Sequence, residues 1–295
     1  MKPSLREQLL DCENAFEDGF VSALTVCVVV IVVAVPLAIF LLGRFGHLSR
    51  GIALLSLLCY REYARGTGLF REKLISFVVV LSIVAITLAV LDRWYALFIS
   101  LTPLSIGVLG TTALLSDRPR GYVQRVALGV LAVVLFGMCL AHVGYCANRA
   151  HYRPLILWLL ASTLAHPLIA RPMRRLPGPV LLPNTAPGRT LLGDGIATLV
   201  TVGLSSLLGH FAFRATVLDK PLALVALGLT VGVAGWFTDL MLAAVRRDLG
   251  ISEPAVGRLV DHVGGLILTA PAVFYYVNYH VDMAGDQLSR ILTGG

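Results

Sequence analysis

The chain carries a succession of apolar runs, most of them close to the ~20 residues that a helix needs to cross a bilayer. Short loops rich in arginine separate them. Full runs occupy residues 21–42, 74–91, 94–115, 123–146, 154–170, 191–213, 221–245 and 259–279. A further run, 52–60, is too short to cross alone and reads as part of a re-entrant or interfacial helix. In hydrocarbon the backbone finds no water, so each spanning segment must satisfy its own polar groups as a helix. The predicted fold class is therefore all-α, a polytopic integral membrane bundle of eight or nine transmembrane helices. The ninth depends on whether 52–60 crosses.

Composition supports this and excludes a soluble domain. Hydrophobic residues make up 57% of the 295 and charged residues 14%, where a soluble protein carries about 25% charge. Mean hydropathy is +0.82. No polar stretch approaches the ~50 residues of the smallest domains. The chain reads as one transmembrane domain over 1–295, with N-terminal helices in 1–150 and the chemistry-bearing region in 151–280. The formal charge of +7 lies in loops, which is a topology signal rather than a nucleic-acid signature. Distributing the loops alternately puts about twice as many basic residues on one side as on the other. That side is expected to be cytoplasmic, in the cell's inner (plasma) membrane, where arginines also suit acidic lipid headgroups. The five cysteines form no C-x-x-C pair and read as small buried residues. The acidic N-terminus does not read as a cleavable signal.

The densest polar chemistry lies in 236–274, where two apolar runs flank a charged loop. Asp239 sits deep in the first run, seven residues before Arg246. On a helix that spacing gives one face and roughly 10 Å along the axis. An acid in such a place faces the bundle interior or a wet cavity, or pairs with a basic neighbour. Arg247, Arg258, Glu253 and Asp261 follow. Arginines, carboxylates and helix ends at a membrane surface can hold a phosphate ligand and its metal. A second stretch, 184–198, places Arg189 and Thr190 before a Gly-rich helix start. It suits a phosphate, and equally suits a proline-glycine loop with a topology charge. Asp194 reads as a cap or interface marker. Arg171, Arg174 and Arg175 read as topology charges or, more sharply, as contacts to an acidic headgroup. His142, His166 and His210 show no ligand spacing and read as satisfied interior groups.

These stretches resemble the C-terminal signature of the phosphatidate cytidylyltransferases, the CDP-diacylglycerol synthases. That family reads G-D-x-x-x-S-x-x-K-R, then K-D, then P-G-H-G-G-x-x-D-R-x-D-S. Here Thr238-Asp239, Arg246-Arg247, Glu253 and Asp261 hold the matching positions, and Thr269-Ala270-Pro271 continues the match. The Pro-Gly-His-Gly-Gly segment is reduced to Gly257-Arg258. His262, Gly264 and Gly265 replace the Arg, the second Asp and the Ser. The family's S-P-x-K-T-x-E-G resembles Ala186 to Gly193, with Arg189 for Lys and Leu192 for Glu. Its A-D-[ST]-G-A-Y falls at 161–166, with Ser162 for Asp. Glu62-Tyr63 resembles an early E-Y pair.

The resemblance implies transfer of a cytidylyl group from CTP to phosphatidate, with pyrophosphate released. It implies Asp239 and Asp261 as catalytic residues, and Asp239, Asp261 and Glu253 as ligands of Mg²⁺. Arg189, Thr190, Arg246, Arg247 and Arg258 would bind phosphates. The partners implied are an acidic membrane lipid and CTP, with a homodimer or a hetero-oligomer with another membrane protein as the assembly. Acids are missing at Ser162, Leu192 and Gly264, so turnover is expected to be very low or absent. The alternative is a non-catalytic relative that binds lipid, nucleotide or a partner protein. Buried acids and histidines also occur in the ion paths of transporters, a third reading.

Overall fold

Every apolar run from residue 74 onward forms a helix in the computed structural model. It describes residues 47–280 apart from 116, 149–151, 175, 215 and 251–257. The predicted span 21–42, Glu253 and the side chain of Arg258 lie outside the described residues. The elements are α1 (His47–Gly66), a single 3-10 turn (Leu69–Arg71), α2 (Lys73–Leu91), α3 (Tyr95–Leu115), α4 (Tyr122–Ala147), α5 (Tyr152–Met173), α6 (Leu191–Ala212), α7 (Pro221–Asp248) and α8 (Arg258–His280). A π-helical segment, Val133–Cys139, lies inside α4. No strand occurs among the described residues; an isolated bridge joins Val180 to Thr190.

Seven of these helices, α2 to α8, are long and apolar enough to cross a membrane. The chain is a polytopic helical membrane protein. The short run at 52–60 proves to be the middle of the 20-residue α1. Its helix continues through Arg61, Glu62 and Arg65 because one face stays buried, with Cys59, Tyr60, Tyr63 and Ala64 inside. Apolar content alone marked only the half that lacks charge.

The exposed surface of the spans is apolar: Leu104, Leu157, Leu199 and Leu222 are all more than half exposed. In a bilayer such residues meet acyl chains. Burying them would gain nothing, because lipid is as apolar as a protein core. Helix association must then come from close packing and polar contacts. α6 and α7 show it at Gly228 and Gly232, four residues apart. A Cβ on Gly228 would stand 2.7 Å from Val202 O, and one on Gly232 would stand 3.0 Å from Thr198 Cγ2. On α6, Gly209 makes room for Leu224. This small-xxx-small seam is legible in the sequence once α7 is known to be a helix.

α8 is the hub. It packs on α1, α4, α5 and α7, and Gly264 and Gly265 let it approach α7 and α5 closely. Their missing Cβ atoms would meet Leu242 Cδ1 at 3.1 Å and Thr163 O at 3.1 Å. At its far end Phe274 joins an aromatic cluster with Tyr95, His142 and Tyr145. At its start Glu62 of α1 accepts a hydrogen bond from Val260 N at 3.1 Å, a cap supplied from a distant helix.

The α6–α7 seam yields a prediction. Gly228→Val must push against the backbone of Val202 and should cost about 1–3 kcal/mol. Gly203→Val, whose Cβ position meets nothing within 4 Å, should change little. Thermal unfolding of the two variants in detergent compares them.

Candidate functional site

The site is built where α5 ends, α6 begins and α7 passes by. The segment 176–190 leaves α5 and returns to start α6, and its return is pinned locally. Thr190 is the N-cap of α6: its hydroxyl accepts from Gly193 N at 3.1 Å and donates to Leu176 O at 3.0 Å. Leu191 N bonds to Pro179 O. Gly193 lies so close to Met173 O that a Cβ would stand 2.4 Å from it. Thr190, expected to hold phosphate, thus has its hydroxyl engaged in the cap. With that cap in place, the preceding residue, Arg189, turns inward, where its side chain is 9% exposed.

Arg189 Nη2 donates to Asp239 Oδ2. Arg174, one residue past α5, donates to the same oxygen at 3.3 Å. Asp239 therefore has two guanidiniums on Oδ2, while Oδ1 takes no hydrogen bond from the described residues. Asp194, three residues into α6, lies on the other side of Arg189, with Oδ2 3.8 Å from Nη1. That carboxylate is 6% exposed and accepts a hydrogen bond from Trp236 Nε1 at 2.9 Å. Trp236 and Asp239 are three residues apart on α7, so one helix face serves both acids.

His166 closes the site from below. Its ring lies against Gly235, whose Cβ position is 2.8 Å from Cδ2. Thr201 Oγ1 donates to Ala197 O at 2.8 Å, which leaves it as acceptor for His166 Nδ1 at 3.0 Å. Asp239, Arg189, Asp194 and Arg174 are all within electrostatic reach of the imidazole.

Arg246 and Asp261 form a second pair, 2.7 Å apart, where α7 meets the start of α8. It lies two turns further along α7, and Asp261 is the more open partner at 38% exposure. Arg247 points outward and is exposed. The expected residues thus fall into two sets, Arg189 with Asp239 and Arg246 with Asp261, each already an ion pair. Sequence reasoning missed Asp194, His166, Trp236 and Thr201 as members, and left Arg174 between two roles. Only the three-residue spacing of Trp236 and Asp239 hinted at this. Arg189 and Asp194 are five residues apart, while the hydrogen bonds of His166 to Thr201, Arg174 to Asp239 and Trp236 to Asp194 join residues 35 or more apart in the chain.

The three positions where the resemblance led to an expected acid have different surroundings. Ser162 is fully buried, and its hydroxyl has no partner among the described residues. Leu192 is 49% exposed on the apolar surface. Gly264 faces Leu242 and Thr238 of α7. Among the described residues no three His, Cys, Asp or Glu come together as a metal site. The carboxylates do not fit a resident divalent ion, since arginines already hold them. They fit an ion that arrives ligated by phosphate oxygens, which needs only one or two carboxylates.

Breaking the inner pair should cost far more than breaking the outer one. Asp239→Asn leaves the buried Arg189 only the looser contact to Asp194 at 3.8 Å and is expected to destabilise by about 3 kcal/mol. Asp261→Asn, at a half-open pair, should cost under about 1 kcal/mol. Adding Arg189→Gln to Asp239→Asn should recover part of the larger loss. Denaturation of the detergent-solubilised variants measures all three.

Comparison with known proteins places the chain in a family. The sequence matches the family described as "Cytidylyltransferase family" over residues 23–280. It is also 28% identical over 199 residues to a protein of Escherichia coli (strain K12) named "Uncharacterized protein YnbB". That match covers 63% of this chain and 65% of the relative's length. With the family match running through both charged sets and the helices that carry them, this chain belongs to the cytidylyltransferase family.

Proposed function

We propose that this protein binds CTP and the phosphate headgroup of phosphatidate at the Arg174–Arg189–Asp239 cluster, on the cytoplasmic side of the inner membrane. One observation carries the reading. Arg189 is almost wholly buried, yet its Nη1 has no hydrogen-bond partner among the described residues. A buried cationic donor left open suits a phosphate oxygen. Arg174, the most exposed member at 36%, stands just past the end of α5 and gives a phosphate a first contact from outside the bundle.

The reaction such a site can run is cytidylyl transfer. A phosphatidate oxygen attacks the α-phosphorus of CTP. A new P–O bond forms as the bond to the β-phosphate oxygen breaks, giving CDP-diacylglycerol and pyrophosphate. The step asks chiefly for positioning and for positive charge near the transferring group. Arg189 and Arg174 supply that charge once a phosphate displaces the carboxylate of Asp239. Mg²⁺ would enter this scheme with the nucleotide, neutralising its phosphates; Asp239 would hold it once released from its arginines, with Asp261 or Glu253 as a second carboxylate.

The rate is expected to be low. Ser162, Leu192 and Gly264 offer no carboxylate, and loss of one metal ligand removes roughly 10² to 10⁴ in rate. A non-catalytic binding protein is the second reading. It is favoured by Ser162 and Gly264, which offer no carboxylate where the resemblance places acids.

Purified protein in detergent with labelled CTP, phosphatidate and Mg²⁺ tests both. The expected result is saturable CTP binding, abolished by Arg189→Gln, with CDP-lipid formed well below about 1 per second. Binding without any product, and product appearing in Gly264→Asp with Ser162→Asp, selects the non-catalytic reading. CTP binding that survives Arg189→Gln unchanged sinks the site.

A further inference from the structure

We infer that Asp194 sets the charge of this site, so that it accepts a phosphate group together with a divalent cation and discriminates against either alone. The inference rests on the reading of the cluster as a phosphate site and concerns what that site will admit.

Among the described residues, two guanidiniums, Arg174 and Arg189, face two carboxylates, Asp194 and Asp239. The formal charges cancel. Asp194 is the most buried of the four, at 6% exposure, and it makes no closer ionic contact than 3.8 Å to Arg189 Nη1. Its geometry is fixed instead by Trp236 Nε1. It is therefore held as a standing negative charge beside the open donor of Arg189 rather than as half of a tight pair. None of the matched motifs assigns it. By the resemblance, the family's acid in this loop belongs at position 192, where Leu192 is 49% exposed. Asp194 lies two residues on, and on a helix a two-residue step turns the side chain to the far side. The carboxylate is thus placed inside the bundle.

A neutral, mostly buried cluster responds to charge in a definite way. A phosphate anion entering alone leaves it net negative, and a divalent cation entering alone leaves it net positive. Either state places unbalanced charge in a medium of low dielectric. A phosphate that carries its own divalent ion keeps the sum close to zero. Arg189 and Arg174 then take phosphate oxygens, and Asp239, released, faces the cation. Removing the charge of Asp194 shifts this balance by one unit and should let the anion bind without metal.

The experiment measures CTP affinity of the purified full chain, with Mg²⁺ and with a chelator, in the unmodified protein and in Asp194→Asn. Inorganic pyrophosphate serves as a second probe that lacks the cytidine. The unmodified chain should bind CTP more tightly with Mg²⁺ by a factor in the usual coupling range, roughly 5- to 150-fold. Asp194→Asn keeps the shape and an oxygen for Trp236. It should bind both probes more tightly than the unmodified chain in chelator, with the Mg²⁺ effect reduced severalfold. Asp194→Ser, neutral and smaller, repeats the comparison if the asparagine variant does not fold. Equal CTP affinity with and without Mg²⁺ in the unmodified chain overturns the inference while leaving the phosphate site standing. So does an unchanged Mg²⁺ effect in a folded neutral variant. A chain that binds CTP under neither condition overturns the phosphate site and this inference with it.

Discussion

The contact between Arg189 and Asp239 is the one on which the charged end of this bundle depends. Two opposite charges drawn out of water each lose hydration, and only close approach with further hydrogen bonds recovers the loss. Arg174 and the nearby Asp194 supply such further partners. The pair ties the loop before α6 to the middle of α7, which holds α5, α6 and α7 together at one end of the bundle. It also defines the chemistry available there, because a carboxylate already sits where a phosphate would bind.

Several modest features bring that contact about. The cap at Thr190 and the close approach of Gly193 to Met173 O fix where α6 begins. The glycine seam of α7, Gly228 and Gly232, sets how near α7 lies to α6. Gly235 leaves space for the His166 ring, so a third helix joins without displacing the acids. Each of these is a backbone-proximity effect. In lipid, where burial of apolar area brings no advantage, such proximity is the main source of helix–helix stability. The same glycines that stabilise the bundle therefore also set the geometry of its charged end.

The losses seen against the family's motifs look different in three dimensions. Leu192, where the resemblance places an acid, is half exposed, while Asp194 two residues later is buried. Ser162 is sealed in the core with an unmet hydroxyl, and Gly264 has become part of the packing of α8 on α7. The cluster that results is rich in ion pairs and poor in free metal ligands.

The helical membrane class, seven of the spans and the identity of the charged segments were all legible in the linear sequence. Each is a local property: a run of apolar residues long enough to cross, broken by basic loops. The extent of α1 was not, because its charged half is kept helical by tertiary packing rather than by hydrophobicity. Asp239 stood out as an acid inside an apolar run, and Arg246 and Asp261 as neighbours across one loop. Asp194, His166 and Trp236 did not, and Arg174 could not be told from a topology charge. Their hydrogen bonds to one another and to Asp239 and Thr201 cross 35 to 65 residues of chain. Which acid faces which arginine is decided by helix rotation and by the distance between helix axes. Neither is encoded in any single segment, so only the packed bundle resolves them.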